Sequence, residues 1–183
     1  MDPNACGPDG VTALFVACAR GHALVAQVLG SDDRVDPSCP KADGLTPLFV
    51  AAGSGHADVV AVLLTLPGVD PSAPLAPGVG GGATPLTIAA DRNHAAAVQH
   101  LLADPRVDPN RPTDEGATAL YVACQEGRAE VVLQLLSDDR VDPNLACSDG
   151  RSPLLIAAYA GHDDIVALLL GCGGGPPARP PQG

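Results

Sequence analysis

Four histidines recur at matched places along the chain, His22, His56, His94 and His162, and imidazole is a common ligand for zinc and other transition metals. A glycine-rich run at residues 78–83, GVGGGA, has the GxGxxA spacing that can hold a dinucleotide pyrophosphate at a helix N-terminus. Cysteines at 6, 18, 39, 124, 147 and 172 offer thiol chemistry. Two clusters, Asp32, Asp33, Asp36 and Asp138, Asp139, Asp142, look like fragments of calcium loops.

The surroundings argue against each chemistry in turn. The histidines are equivalent residues of successive units; stacked helices sit about 8–10 Å apart, so four such rings cannot converge on one ion at about 2 Å. They are expected to bridge backbone groups near the turn between two helices. GVGGGA follows a stretch broken by Pro74 and Pro77, not the hydrophobic strand a dinucleotide fold requires, and an elongated finger tip is expected there. Cys18 and Cys124 stand where other units carry Ala, which predicts small buried hydrophobes. Around Cys6, Cys39 and Cys147 the cationic or His neighbours that would activate a thiol are sparse. The Asp clusters lack the twelve-residue spacing and closing Glu of a calcium loop, and Arg34 and Arg140 partly compensate them. No catalytic residue, cofactor or metal is expected.

The elements behind these residues repeat. TALFVACARGH begins at Thr12, TPLFVAAGSGH at Thr46, TPLTIAADRNH at Thr84, TALYVACQEGR at Thr118 and SPLLIAAYAGH at Ser152, at spacings of 34, 38, 34 and 34. The hydroxyls of Thr12, Thr46, Thr84, Thr118 and Ser152 suit helix N-caps, and Pro47, Pro85 and Pro153 follow at the first helical position. Gly21, Gly55, Asn93, Gly127 and Gly161 fall nine residues later, where a residue tolerant of positive φ ends a short helix. A second helix carries paired apolar residues, Val59, Val60, Leu63, Leu64 in one unit and Val131, Val132, Leu135, Leu136 in another. Helices this short are marginal alone, so they must stack. Ala17, Ala51, Ala89, Ala123 and Ala157 recur at one helical position and permit close approach. Between units lie turns at Gly10, Gly44, Gly82, Gly116 and Gly150, three of them in an Asp-Gly pair that signals a hairpin tip.

The pattern DGxTPLxxAAxxGH followed by xVVxxLL resembles the ankyrin repeat family, in five units over about residues 1–172. The resemblance implies an all-α helical repeat solenoid with short β-hairpin fingers. Two departures stand out. The His that usually follows TPL is replaced by Phe15, Phe49, Thr87, Tyr121 and Leu155, and the period is 34 where 33 is usual, the extra residue lying before VDP, where it is expected to lengthen a loop without disturbing the stack. The family also includes substrates of an asparaginyl hydroxylase; Asn4, Asn110 and Asn144 stand at the matching finger position, but in DPN where DVN is usual. Residues 173–183, GGGPPARPPQG, are expected to be a disordered tail.

Composition limits the partner. The formal net charge is −11 and aromatic residues are 2% of the chain, which disfavours nucleic acid and anionic membrane surfaces. The longest apolar run, Ile165 to Gly171, is too short to span a bilayer. With no CxxC pair, reduced thiols and a cytoplasmic or nuclear setting are expected. The expected function is a non-catalytic protein-interaction scaffold binding a basic or neutral protein surface by its finger tips and concave helix face. The alternative is a regulatory or targeting module of an enzyme whose catalytic domain lies elsewhere.

Within the resemblance, variable polar residues at the fingers and the ends of the first helices mark the contact surface: Asp91, Arg92, Asp114, Glu115, Gln125, Glu126, Asp149, Arg151 and Tyr159. Ile165, Val166, Leu168, Leu169 and Leu170 leave the last helix without a polar outer face, which predicts a partner, self-association through the C-terminal repeat, or a longer array.

Overall fold

The computed structural model describes residues 4–7, 9–75 and 80–172; the Gly/Pro-rich segment 173–183 and the start of GVGGGA lie outside them. Five pairs of antiparallel helices follow one another: α1 (Ala13–Ala19) and α2 (Ala23–Gly30), α3 (Pro47–Gly53) and α4 (Ala57–Thr65), α5 (Pro85–Asp91) and α6 (Ala95–Ala103), α7 (Ala119–Gln125) and α8 (Ala129–Leu136), α9 (Pro153–Ala160) and α10 (Asp163–Cys172). Odd helices pack on odd helices and even on even, giving two layers that run the length of the stack.

Each first helix starts as its residues dictate. The hydroxyls of Thr12, Thr46, Thr84, Thr118 and Ser152 accept from the backbone N–H three residues on, at 3.1–3.2 Å. Each helix stops at a left-handed residue, Asn93 (φ 60°) being the one non-glycine of that conformation among the described residues. The layers meet over residues with no accessible surface: Ala51, Ala89, Ala123 and Ala157 on the first helices, Leu63, Leu101 and Leu135 on the second. Burial of each such leucine contributes about 1.5–3 kcal/mol.

The hairpin fingers differ from expectation. No strand forms among the described residues. Each described finger closes by one bond between its arms and one turn bond, as Lys41 N to Leu45 O at 2.9 Å with Gly44 N to Lys41 O at 2.8 Å, or Thr113 N to Ala117 O at 2.9 Å with Gly116 N to Thr113 O at 2.8 Å. The returning residue's N–H turns instead to a local oxygen, Leu45 N to Asp43 Oδ1 and Ala117 N to Thr113 Oγ1, so the second bond of a ladder is not made. Neighbouring fingers are tied by one backbone bond each, Ala42 N to Asp9 O, Asp114 N to Gly81 O and Ser148 N to Glu115 O.

The loops after α6 and α8 do more than add length. Arg106 pairs with Asp104 at 2.6 Å and donates to Leu64 O and Val69 O of the preceding unit. Arg140 pairs with Asp138 at 2.6 Å and donates to Leu102 O and Val107 O. The 34-residue period thus adds a clamp at two junctions, which accounts for Arg140 within the second acidic cluster; Arg34 in the first makes its local pair with Asp32.

Candidate functional site

At every internal junction the position ending each first unit's turn grips the unit before it. His56 Nε2 meets Ala19 O, His94 Nε2 meets Gly53 O and His162 Nε2 meets Gln125 O, at 3.1–3.2 Å. Each ring lies flat on a glycine: a Cβ at Gly21, Gly55 or Gly127 would come within 2.7 Å of the imidazole. The junction of the third and fourth units breaks this rule on both sides together. There Arg128 Nε donates to Asp91 O at 3.1 Å, and the residue beneath it is Asn93. A thin side chain on one side permits a Cβ on the other.

The other chemically capable residues are also spent on structure. Burial pushes the Cys18 and Cys124 thiols up to about 12, so neither is a thiolate at neutral pH. Asn4 and Asn110 each straddle the next loop, donating to Arg34 O and Arg140 O and accepting from Asp36 N and Asp142 N. Where a distinctive surface does form is between the third, fourth and fifth units, in an open groove of about 480 Å³ walled by fingers on one side and the ends of α5 and α7 on the other.

Six of the residues singled out from sequence line this groove: Asp91 from α5, Gln125 and Glu126 at the end of α7, Glu115, Asp149 and Arg151 from the fingers. Its floor is Tyr121 and Val122, one turn before Gln125 on α7. Tyr121 is buried, which together with nearby Cys147 and Asp149 raises its phenol pKa against the opposing influence of Arg151, so it presents a neutral hydroxyl. Four carboxylates, those of Asp91, Glu115, Glu126 and Asp149, share the rim with one guanidinium. Arg151 Nε lies 3.2 Å from Asp149 Oδ2 and its guanidinium sits 5.6 Å from the centre of the exposed Tyr159 ring. The thiol of Cys147 donates to Glu115 O at 2.8 Å, fixing one finger to the next.

Three of the nine residues are placed otherwise. Arg92 lines a smaller hollow of about 170 Å³ with Phe49 and Ile88 and donates to Gly53 O. Asp114 packs its carboxylate over Gly82, where a Cβ would fall 2.6 Å from its Oδ1. Tyr159 stands beside the groove and reaches it only through Arg151. The floor was missed from sequence, because Tyr121 drew notice only as a substitute for the family's usual His; its i, i+4 relation to Gln125 carried the signal that the two share a face.

Chain architecture and comparison agree. A model of ankyrin repeats in three copies matches residues 1–74 and again 86–178, leaving out the four-residue insertion and its flanks. No curated protein matches the chain. Among the described residues, no helix is long and apolar enough to cross a membrane. Repeats of this kind are typically non-catalytic modules that mediate protein–protein contact, and with both halves of its sequence matched and five helix pairs stacked in two layers, the chain belongs to the ankyrin repeat family.

Proposed function

We propose that the helical array of residues 1–172 is a non-catalytic scaffold that holds a protein partner by inserting one of the partner's cationic side chains into the groove of the third to fifth units. The observation that carries this is the convergence of Asp91, Glu115, Glu126 and Asp149 on one opening with a single Arg151 among them. A guanidinium or ammonium entering there meets several carboxylates with Tyr121 at the floor, and planar, two-pronged pairing with carboxylates favours Arg. Gln125 supplies a neutral amide at the rim, and Tyr159, held by Arg151, extends the contact toward the last unit. Arg92 and Asp114, on the side of the second and third units, form an outer margin of the same surface. Five unpaired cysteines among the described residues suit a reducing compartment, cytoplasm or nucleus.

The test neutralises the rim without touching the floor. Wild type and a Glu115→Gln, Glu126→Gln, Asp149→Asn variant are titrated with fluorescent Arg-containing and Glu-containing peptides at two salt concentrations. Wild type is expected to prefer the Arg peptides, with affinity falling as salt rises, and the variant to lose at least tenfold. Equal affinity of both proteins for both peptides would remove the groove from consideration.

A further inference from the structure

The two ends of the stack carry the unused halves of a contact that recurs at every internal junction. Val25 on α2 corresponds to Val59, Ala97, Val131 and Ile165, all of which are completely covered, yet Val25 is 50% exposed. Val16 and Val28 beside it are exposed as well. At the other end Leu155 corresponds to Phe15, Phe49, Thr87 and Tyr121, none more than 8% exposed, and is itself 54% exposed, with Leu154 and Leu170 open next to it. The sequence predicts a last helix uncovered along Ile165, Val166, Leu168, Leu169 and Leu170; Ile165 and Leu169 are in fact buried, Val166 and Leu168 pack on the core, and only Leu170 of the five is exposed.

The polar groups are left over in the same complementary way. His22 occupies the position of His56, His94 and His162, but among the described residues its exposed ring grips no carbonyl as theirs do. The seat that such a ring needs is empty at the far end: a Cβ at Gly161 would meet nothing within 4 Å, unlike Gly21, Gly55 and Gly127. The carbonyl matching Ala19 O, Gly53 O and Gln125 O is that of Tyr159. Arg34 likewise pairs with Asp32 but reaches no preceding carbonyl, whereas Arg106 and Arg140 each do. Its counterpart acceptor is Leu170 O, in the last turn of α10, where a cation is also favoured by the helix dipole.

We infer that this chain associates head to tail, the α1/α2 face of one copy stacking on the α9/α10 face of another as though it were the next repeat. α1 of one copy then covers Leu155 on α9 of the other, Val25 on α2 packs against α10, His22 lies on Gly161 and bonds Tyr159 O, and Arg34 clamps Leu170 O. The contact joins two different surfaces, so each copy added leaves both kinds of end free and growth is open. This surface is separate from the acidic groove and does not depend on its role.

Sedimentation equilibrium of the full 183-residue chain tests it with two substitutions at exposed sites, Val25→Glu and Leu155→Glu, whose unchanged thermal melts at low concentration confirm folding. For wild type the average mass is expected to climb with concentration past that of two chains. Either variant alone is expected to stay monomeric, and a 1:1 mixture to give one heterodimer, since Val25→Glu retains a working tail and Leu155→Glu a working head. His22→Ala is expected to weaken association about tenfold. A wild type that remains monomeric at every concentration, because another protein or further repeats cover these faces, would overturn the inference. So would assembly that stops at two chains and is abolished by Leu155→Glu but not by Val25→Glu, the pattern of a symmetric tail-to-tail dimer.

Discussion

The first junction of the stack and the later ones solve the same problem with opposite chemistry. At the later junctions the second helix carries a leucine, Leu64 or Leu102, whose carbonyl accepts from the Arg of a following Asp–Arg loop. At the first junction that leucine is Gly30, and the following loop replaces Asp by Leu66 and Arg by Gly68. Leu66 is 9% exposed and fills the space over Gly30, where an added Cβ would lie 2.3 Å from Leu66 Cδ1. Three departures from the repeat therefore form one substitution, a polar clamp exchanged for an apolar plug. Repeat positions vary here in contacting sets, because what is held constant is the junction and not the residue.

The largest expected effect comes from spoiling the plug. Leu66→Asp removes a buried leucine and places a charge over Gly30 with no Arg to meet it, and is expected to cost about 3–5 kcal/mol in urea unfolding. Adding Gly30→Leu and Gly68→Arg to that variant restores the side chains of the later junctions, and the triple substitution is expected to be more stable than Leu66→Asp alone. If Gly30→Leu instead destabilises equally in both backgrounds, the two residues are not one unit and the comparison fails.

A smaller effect separates a clamp that bridges from one that does not. Arg140→Ala removes hydrogen bonds to two carbonyls of the preceding unit and is expected to cost about 1–2 kcal/mol. Arg34 makes only the local, exposed pair with Asp32, so Arg34→Ala in dilute monomer is expected to leave the urea midpoint unchanged.

The smallest effect is that of acid. Hydrogen bonds from Arg106 and Arg140 hold the Asp104 and Asp138 carboxyls below their usual range. A carboxyl depressed in the folded state contributes stability that is complete above its unfolded value, 3.8 here, and is lost as pH falls through the folded value. Unfolding midpoints are expected to be insensitive to these groups above about pH 5 and to decline below about pH 4, with a shallower decline in Arg140→Ala. Amide exchange should show that loss at the later junctions and leave the Gly30–Leu66 contact unchanged.

Much of this was open to reading in the residues themselves. Helix starts followed from hydroxyls and prolines, and helix ends from glycines and Asn93, because these are local matters of capping and φ. Six groove residues were foreseen because their positions vary while their neighbours do not. What stayed hidden depends on contacts between units. Gly30 is far in sequence from Leu66 and Gly68, and each of the three looks like drift of the repeat. Val25 has the same sequence context as fully covered Val59, and only the lack of a neighbour exposes it. The finger residues promised a ladder, but Asp43 and Thr113 capture the N–H groups the second bond would have used.

The coupled pair at Asn93 and Arg128 limits which segments can be neighbours. A fourth unit moved behind the first or second would bring Arg128 over a glycine and fit; a fifth unit moved behind the third would bring His162 onto the Cβ of Asn93 and would not. Chimeras and shuffled arrays made from this chain should therefore obey a directional joining rule set by one atom, with the third unit tolerating a successor that begins its second helix with Arg and rejecting those that begin it with His.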